Sequence, residues 1–289
     1  MPEKKQILLT NDDGIRSPGL WSAARALSEL GFVTVAAPEA QMSGSGRSMP
    51  AESPGVIREE WAEVGDKRWK VYAISGSPAQ AVALALLELL PHPPDLVVAG
   101  INYGENVGSG VTISGTIGAG LEGAAHGIAA LAVSLQTESR YHLTYSEEVD
   151  FTCAAYFTAH FAGKMLAGLN WQDLDLLKVE VPTGATPQTP WKLAKLSRTR
   201  YYVPRRPERS RRDLPAQLGY STVLDPNIEK NSDVYVLRVE HQVAVTPLSL
   251  DLTSRIDLDR LERALRDGAE REPQARDASG PSAQRPSGA

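Results

Sequence analysis

The sequence predicts an α/β protein: a Rossmann-like, doubly wound, mostly parallel sheet followed by an extended C-terminal β-hairpin region. Three observations carry that expectation. Short apolar runs at Ile7–Leu9 and within Asp95–Ile101 read as buried strands, and Phe32–Ala37, Ala129–Leu135 and Leu176–Val181 read as further strands. Stretches with helical spacing separate them, as parallel crossovers require. Ser-Pro pairs at 17–18 and 77–78 mark helix starts, since serine caps the free amides and proline suits the first helical position.

The first strand runs straight into Thr10-Asn11-Asp12-Asp13-Gly14. Two adjacent carboxylates repel each other and resist burial. A hard divalent cation with oxygen ligands would remove that penalty. An Asx turn, in which these side chains bond their own backbone, accounts for the same residues, and Asn11 to Gly14 alone leave both readings open. Leu20, Ala24, Leu27 and Leu30 then recur at helical spacing up to Gly31. After the strand at Phe32–Ala37 comes Pro38 and a polar loop, Gln41-Met42-Ser43-Gly44-Ser45-Gly46-Arg47-Ser48.

Residues 50 to 67 read as an excursion at a sheet edge and Trp69–Ser75 as a strand. Val82, Ala85, Leu86 and Leu89 give the buried face of a helix that Pro91, Pro93 and Pro94 end. The strand Asp95–Ile101 leads into Asn102-Tyr103-Gly104-Glu105-Asn106, and Ser114-Gly115-Thr116 opens a helix reaching about His126. Hydroxyls and free amides at a helix start make an anion site, or a plain N-cap. Ala129–Leu135 is a strand, Glu147–Leu169 an amphipathic helix and Leu176–Val181 another strand.

Residues 1–182 are thus expected as a catalytic core. Residues 183–233 are rich in Pro, Thr, Gln and Arg, and 183–253 is expected as an extended hairpin region that returns to the core. It has strand-like pieces at Trp191–Leu196 and Tyr220–Val223 and long paired strands over Val234–Val245. Residues 254–268 form a last helix, and 269–289 a tail too poor in apolar residues to order itself. Arg198, Arg200, Arg205, Arg206, Arg209, Arg211 and Arg212 crowd into this region. A solvated arm or oligomer contact is the expected role, ahead of a phosphate-binding patch.

Composition bounds the partners. Of 289 residues, 42% are hydrophobic and 22% charged, which fits a globular protein, and a net charge of −5 argues against nucleic-acid binding. A single cysteine, Cys153, cannot form an internal disulfide, which points to a reducing, cytoplasmic compartment. No run approaches the ~18 apolar residues of a membrane span.

In a doubly wound sheet the loops after the parallel strands lie along one edge. Asp12, Asp13, Ser43 and Asn102 would then supply an all-oxygen ligand set suited to Mg²⁺ or Mn²⁺. Beside them the Ser114-Gly115-Thr116 turn would receive an anion. A divalent metal next to an anion site points to phosphoryl chemistry.

These residues resemble the SurE family. The resemblance rests on Thr10 to Gly14, on Ala37-Pro38 with Ser43-Gly44, on Gly76 to Ala79 and on Gly100 to Asn106. It continues through Ser114 to Thr116 with Glu122-Gly123-Ala124, and ends with Thr246-Pro247-Leu248 and Asp251-Leu252-Thr253. It implies a 5′/3′-nucleotidase acting on nucleoside monophosphates, and in some members on short polyphosphate. It implies one divalent metal at Asp12, Asp13, Ser43 and Asn102, and a homodimer or homotetramer built through the 183–245 region. Asp12 or Asp13 would accept a proton from the attacking water, while Asn102, Asn106, Ser114 and the Gly115 and Thr116 amides hold the phosphate. The chain departs from the family pattern at Ile113, Gln80 and Arg47, where the family usually has Tyr or His, Asp, and His. Two rivals share parts of the pattern. A Mg-dependent phospho-receiver or nucleotide-sensing module needs an aspartate at the end of a later central strand, where Ala99-Gly100-Ile101-Asn102 has none. A metal-dependent deacetylase needs a histidine where Asn11 stands.

Overall fold

The computed structural model describes residues 4–64, 67–169 and 171–267. The tail expected at 269–289 lies outside the described residues. Two units are distinguished, Met1–Leu250 and a second beginning at Asp251.

The first unit is built on a sheet whose strands are β1 (Gln6–Thr10), β2 (Phe32–Pro38), β3 (Ile57–Val64), β4 (Lys67–Ile74), β5 (Leu96–Tyr103), β6 (Ala130–Leu135), β7 (Leu176–Val181) and β8 (Trp191–Leu193). β9 (Tyr202–Pro204) and β10 (Tyr220–Thr222) pair antiparallel as a separate ribbon, and β11 (Val243–Leu248) returns to the main sheet. The main order is β3-β4-β2-β1-β5-β6-β7-β11-β8. From β4 to β7 the neighbours are parallel; β3 and β11 add antiparallel partners at either side. The chain winds from β1 out through β2 to β4, then from β5 the other way. The β1/β5 border is therefore the point of reversal, where such sheets open a crevice at the strand ends.

Helices α1 (Pro18–Leu27), α2 (Pro78–Leu84), α3 (Gly115–Ala125) and α4 (Thr152–Leu166) cover the two faces. Strand alternation splits the core accordingly: Ile7 and Leu9 pack with α1 and α4, Leu8 with α2 and α3. α4 starts at Thr152, later than the expected Glu147, because Asp150 Oδ1 accepts the Thr152 amide at 2.8 Å and fixes the start there.

The expected paired strands over Val234–Val245 are not what forms. Residues Asp233–Arg238 are a short helix, α5, and only β11 is a strand. β-branched residues favoured strand, but Ser232 Oγ accepts the Tyr235 amide at 3.2 Å, and the Asp233 carboxylate is held by buried donors. Those anchors override propensity. In the second unit, Leu258–Asp267 forms α6, near the expected last helix. Among the described residues no helix is long and apolar enough to cross a membrane.

Candidate metal and phosphate site

In the loop after β1 the turn and the two carboxylates fall to different residues. Asn11 makes the turn: its Oδ1 accepts the Gly14 amide at 3.1 Å and its Nδ2 donates to the Gly14 carbonyl at 3.1 Å. That leaves both neighbouring carboxylates for other partners. Asp12 is 4% exposed and Asp13 1%. Thr116 Oγ1 donates to Asp12 Oδ1 at 2.5 Å, and the Gly115 and Thr116 amides face the same carboxylate. Asp13 Oδ2 accepts the Tyr103 amide at 3.1 Å, and Asp13 Oδ1 accepts Gln41 Nε2 at 2.8 Å. One aspartate is thus tied to the start of α3. The other is tied to the end of β5 and to the loop after β2.

Burial holds the Asp12 carboxyl above its ordinary range, against the Thr116 hydroxyl and the amides that favour its charge. Asp13 is pushed well above it, first by burial and then by the Asp12 charge, against the Tyr103 amide and Gln41. No lysine, arginine or histidine is among these influences. Two buried carboxylates side by side without a cationic partner are the environment a divalent cation relieves. Among the described residues no three His, Cys, Asp or Glu side chains gather as a ligand group. A cation here would be held by two carboxylates and neutral oxygens, which suits a hard metal.

Asn102 lies at a break in the ladder. The register of β5 against β6 shifts between Ala99 and Asn102. Gly100 makes the shift, at φ +131 with Val133 O only 2.3 Å from where a Cβ would stand. Asn102 Nδ2 donates to the Tyr103 carbonyl at 3.1 Å and the Gly104 carbonyl at 2.7 Å, which leaves Oδ1 as its acceptor. Ser43 is exposed, and no hydrogen bond connects it to either aspartate. Its loop is nonetheless brought to them, because the Met42 amide donates to the Asp12 carbonyl at 2.7 Å.

That loop is anchored along its length. The Gly46 amide donates to Ile113 O at 3.0 Å, and Arg47 Nε donates to Glu122 Oε2 at 2.7 Å. At the far end Ser77 Oγ donates to Ser48 O at 2.6 Å and Gln80 Nε2 to Pro50 O at 2.9 Å. Gln80 Oε1 also accepts the Ser77 amide, completing a capping box on α2. Two departures from the family pattern, Arg47 and Gln80, therefore serve the loop that carries Ser43. Ile113, the third, is exposed.

Ser114 caps α3, with Oγ accepting the Ile117 amide at 3.2 Å; its hydroxyl hydrogen stays uncommitted. The Gly115 and Thr116 amides, expected as an anion cradle, are turned on Asp12. Asn106 lies just past the end of β5, the strand that carries Asn102, and gives one Nδ2 hydrogen to Ser134 Oγ at 3.0 Å. Sequence reasoning missed Gln41, the Tyr103 amide, and Tyr145, whose hydroxyl donates to Asp13 O at 2.9 Å. It also passed over Lys178 and Glu180, charged residues alternating inside the apolar strand β7, where that alternation was the available signal. The crowded arginines are exposed; Arg211 pairs with Asp213, and Arg209 Nη1 donates to the carbonyls of Arg212 and Leu214.

A model of the family described as Survival protein SurE matches residues 7–203, which hold every site residue named above. The chain belongs to the SurE family. It is 40% identical over 263 residues to a protein named 5′-nucleotidase SurE from Thermococcus gammatolerans, covering 90% of this chain and 96% of that one. It is 38% identical over 273 residues to the protein of the same name from Methanopyrus kandleri, covering 90% and 99%. Its fold is similar to the crystal structure of the SurE protein from Aquifex aeolicus, with TM-score 0.70 and 28% identity over 91% of this chain and 100% of that one. The mostly parallel α/β sheet is thus a SurE fold.

Proposed function

We propose that this SurE-family chain is a metal-dependent phosphomonoesterase that hydrolyses nucleoside 5′-monophosphates, and 3′-monophosphates as a secondary activity, to nucleoside and phosphate. The single observation that carries the proposal is the splitting of the Asp12–Asp13 pair. One carboxylate meets α3 at Thr116 and the other meets β5 at Tyr103, so both buried anions stand at the reversal point of the sheet. Relatives named 5′-nucleotidase support the substrate class.

In this reading Asp12, Asp13, Ser43 and Asn102 hold one Mg²⁺ or Mn²⁺. When bound, the cation neutralises phosphate charge and lowers the pKa of water. Asp12 or Asp13 accepts the proton of the attacking water, whose oxygen bonds to phosphorus in line as the ester bond breaks. Because the Gly115 and Thr116 amides support Asp12, the Ser114 hydroxyl and the second Nδ2 hydrogen of Asn106 take the larger share of holding phosphate oxygens. The positive end of α3 adds its field to the site.

Residues 183–253 are proposed as an arm that joins copies of the chain into a dimer or tetramer on the 1–182 core. Exposed Trp191, Leu193, Leu218 and Tyr220 support that role. Light scattering at micromolar concentration tests it, and a monomer would contradict it. The hydrolase reading is tested by phosphate release from a panel of nucleoside monophosphates with Mg²⁺ or Mn²⁺. Release is expected with metal and none in excess chelator; release that ignores chelator overturns it.

A further inference from the structure

β7 carries two ionisable side chains, Lys178 and Glu180, that point the same way and are fully buried. They meet a third, Asp233 at the start of α5: Lys178 Nζ lies 2.9 Å from Asp233 Oδ2 and 3.6 Å from Glu180 Oε1. Burying three ionisable groups costs stability unless every one finds partners. Apolar residues would fill a strand interior more cheaply, so what these groups hold is informative.

They hold the backbone around Asn106. Lys178 Nζ donates to the Asn106 carbonyl at 2.9 Å, and Glu180 Oε2 accepts the Asn106 amide at 2.9 Å. Ser134 Oγ accepts Asn106 Nδ2 at 3.0 Å and donates to Glu180 Oε1 at 3.3 Å. Asp233 Oδ2 accepts the Gly108 amide at 3.0 Å, and Asp233 Oδ1 the Ser197 amide at 2.9 Å. The backbone N–H, the carbonyl and the side-chain amide of Asn106 are all fixed from beneath, by groups set in the sheet.

We infer that Lys178, Glu180 and Asp233 are positioning residues for phosphate hydrolysis, which hold the Asn106 peptide so that its remaining amide hydrogen meets the phosphate. This rests on the nucleotidase reading for its chemistry, while the clamp on Asn106 stands without it. A buried polar cradle is rigid because breaking any one bond strands an unpaired polar or charged group. The loop after β5 thereby keeps its geometry without substrate.

The test measures two quantities on the full chain: hydrogen exchange of segment 104–108, and kcat and KM for AMP with Mn²⁺. Lys178→Met is expected to speed exchange of that segment about tenfold while α1 exchanges as in wild type. It is expected to lower kcat about tenfold with KM changed less than about threefold. The double variant Lys178→Met/Asn106→Ala should then stay within about threefold of Asn106→Ala alone, since residues acting through one another are not additive. Unchanged exchange, or losses that multiply in the double variant, overturns the inference. Should Lys178→Met fail to fold, Glu180 decides. Glu180→Gln keeps an acceptor for the Asn106 amide and should retain kcat within about threefold, whereas Glu180→Leu should lose about tenfold. Equal losses overturn the inference. If wild type releases no phosphate, the nucleotidase reading falls, and exchange at 104–108 alone decides the clamp.

Discussion

Thr116 Oγ1 donates to Asp12 Oδ1 across a 2.5 Å hydrogen bond, joining the first turn of α3 to the loop that ends β1. The two residues lie on elements that follow different strands, and the bond fixes a buried carboxylate whose burial raises its proton affinity. Thr116→Val keeps the shape and removes the donor. The expected cost is about 1.5–3 kcal/mol, the range for a hydrogen bond to a charged group. Phosphate release should fall on the order of tenfold or more at saturating metal. Urea unfolding and a steady-state assay check both, and wild-type kcat in this variant would count against the proposed role of Asp12.

Gly115 is held to its size by the same contact. A Cβ there would lie 2.6 Å from Asp12 Cβ and 2.7 Å from Ser45 Oγ. Gly115→Ala should therefore displace the Asp12 loop, weakening Mn²⁺ binding by about tenfold or more, as loss of ligand support does. Helix propensity alone predicts the opposite sign, because alanine favours helix over glycine. Calorimetric titration of Mn²⁺ separates the two: affinity equal to wild type would show that the contact relaxes freely.

Arg47 reaches from the Ser43 loop to Glu122 on α3, and His126 lies 3.3 Å from the other carboxylate oxygen of Glu122. Glu122 is buried, but Arg47 is itself part-exposed and His126 stays beside the carboxylate, so removing Arg47 costs little global stability, about 1 kcal/mol. Arg47→Ala should leave the melting temperature nearly unchanged but loosen the loop, raising the metal concentration needed for half-maximal activity about threefold. An unaltered metal requirement would assign the pair to surface solvation only.

The buried network sets a pH dependence of stability. Burial pushes Glu180 up from the ordinary 4.5 to about 8; Lys178 and the Asn106 amide oppose the rise, while Asp233 and Glu105 add to it. Burial draws Lys178 down, but Asp233 and Glu180 outweigh it and hold its proton affinity above the usual value. At neutral pH the network then balances as a Lys178–Asp233 ion pair beside a protonated Glu180. The folded chain keeps a proton that the unfolded chain releases above its own pKa. The stability from this group is therefore complete below about 4.5 and is lost as pH rises through about 8. Urea midpoints should fall between pH 5.5 and 8.5, and Glu180→Gln should flatten that slope. An identical slope in the variant would remove Glu180 as its source.

Much of this was legible in the residues. β1 and β5 announced themselves because strands buried on both faces need unbroken apolar runs, and Ser77-Pro78 marked the start of α2 as capping chemistry predicts. Asp12 and Asp13 stood out because an adjacent pair of anions needs a reason. α5 was not legible: Val234 and Val236 carry strand propensity, and the Asp233 anchors that overrule it come from residues far along the chain. The Tyr103 amide was equally hidden, since a backbone donor leaves no mark on residue type. Ser114 was legible only as two alternatives; its Oγ accepts the Ile117 amide while its hydroxyl can still donate, and the amides beside it serve Asp12.

The most direct measurement is phosphate release from a nucleoside 5′-monophosphate by wild type and Asp12→Ala, each with Mn²⁺ and with excess chelator. The account predicts release by wild type with metal alone, and a loss on the order of a thousandfold or more in Asp12→Ala, with an unchanged far-ultraviolet spectrum. Full release by Asp12→Ala, or by wild type in chelator, would contradict it.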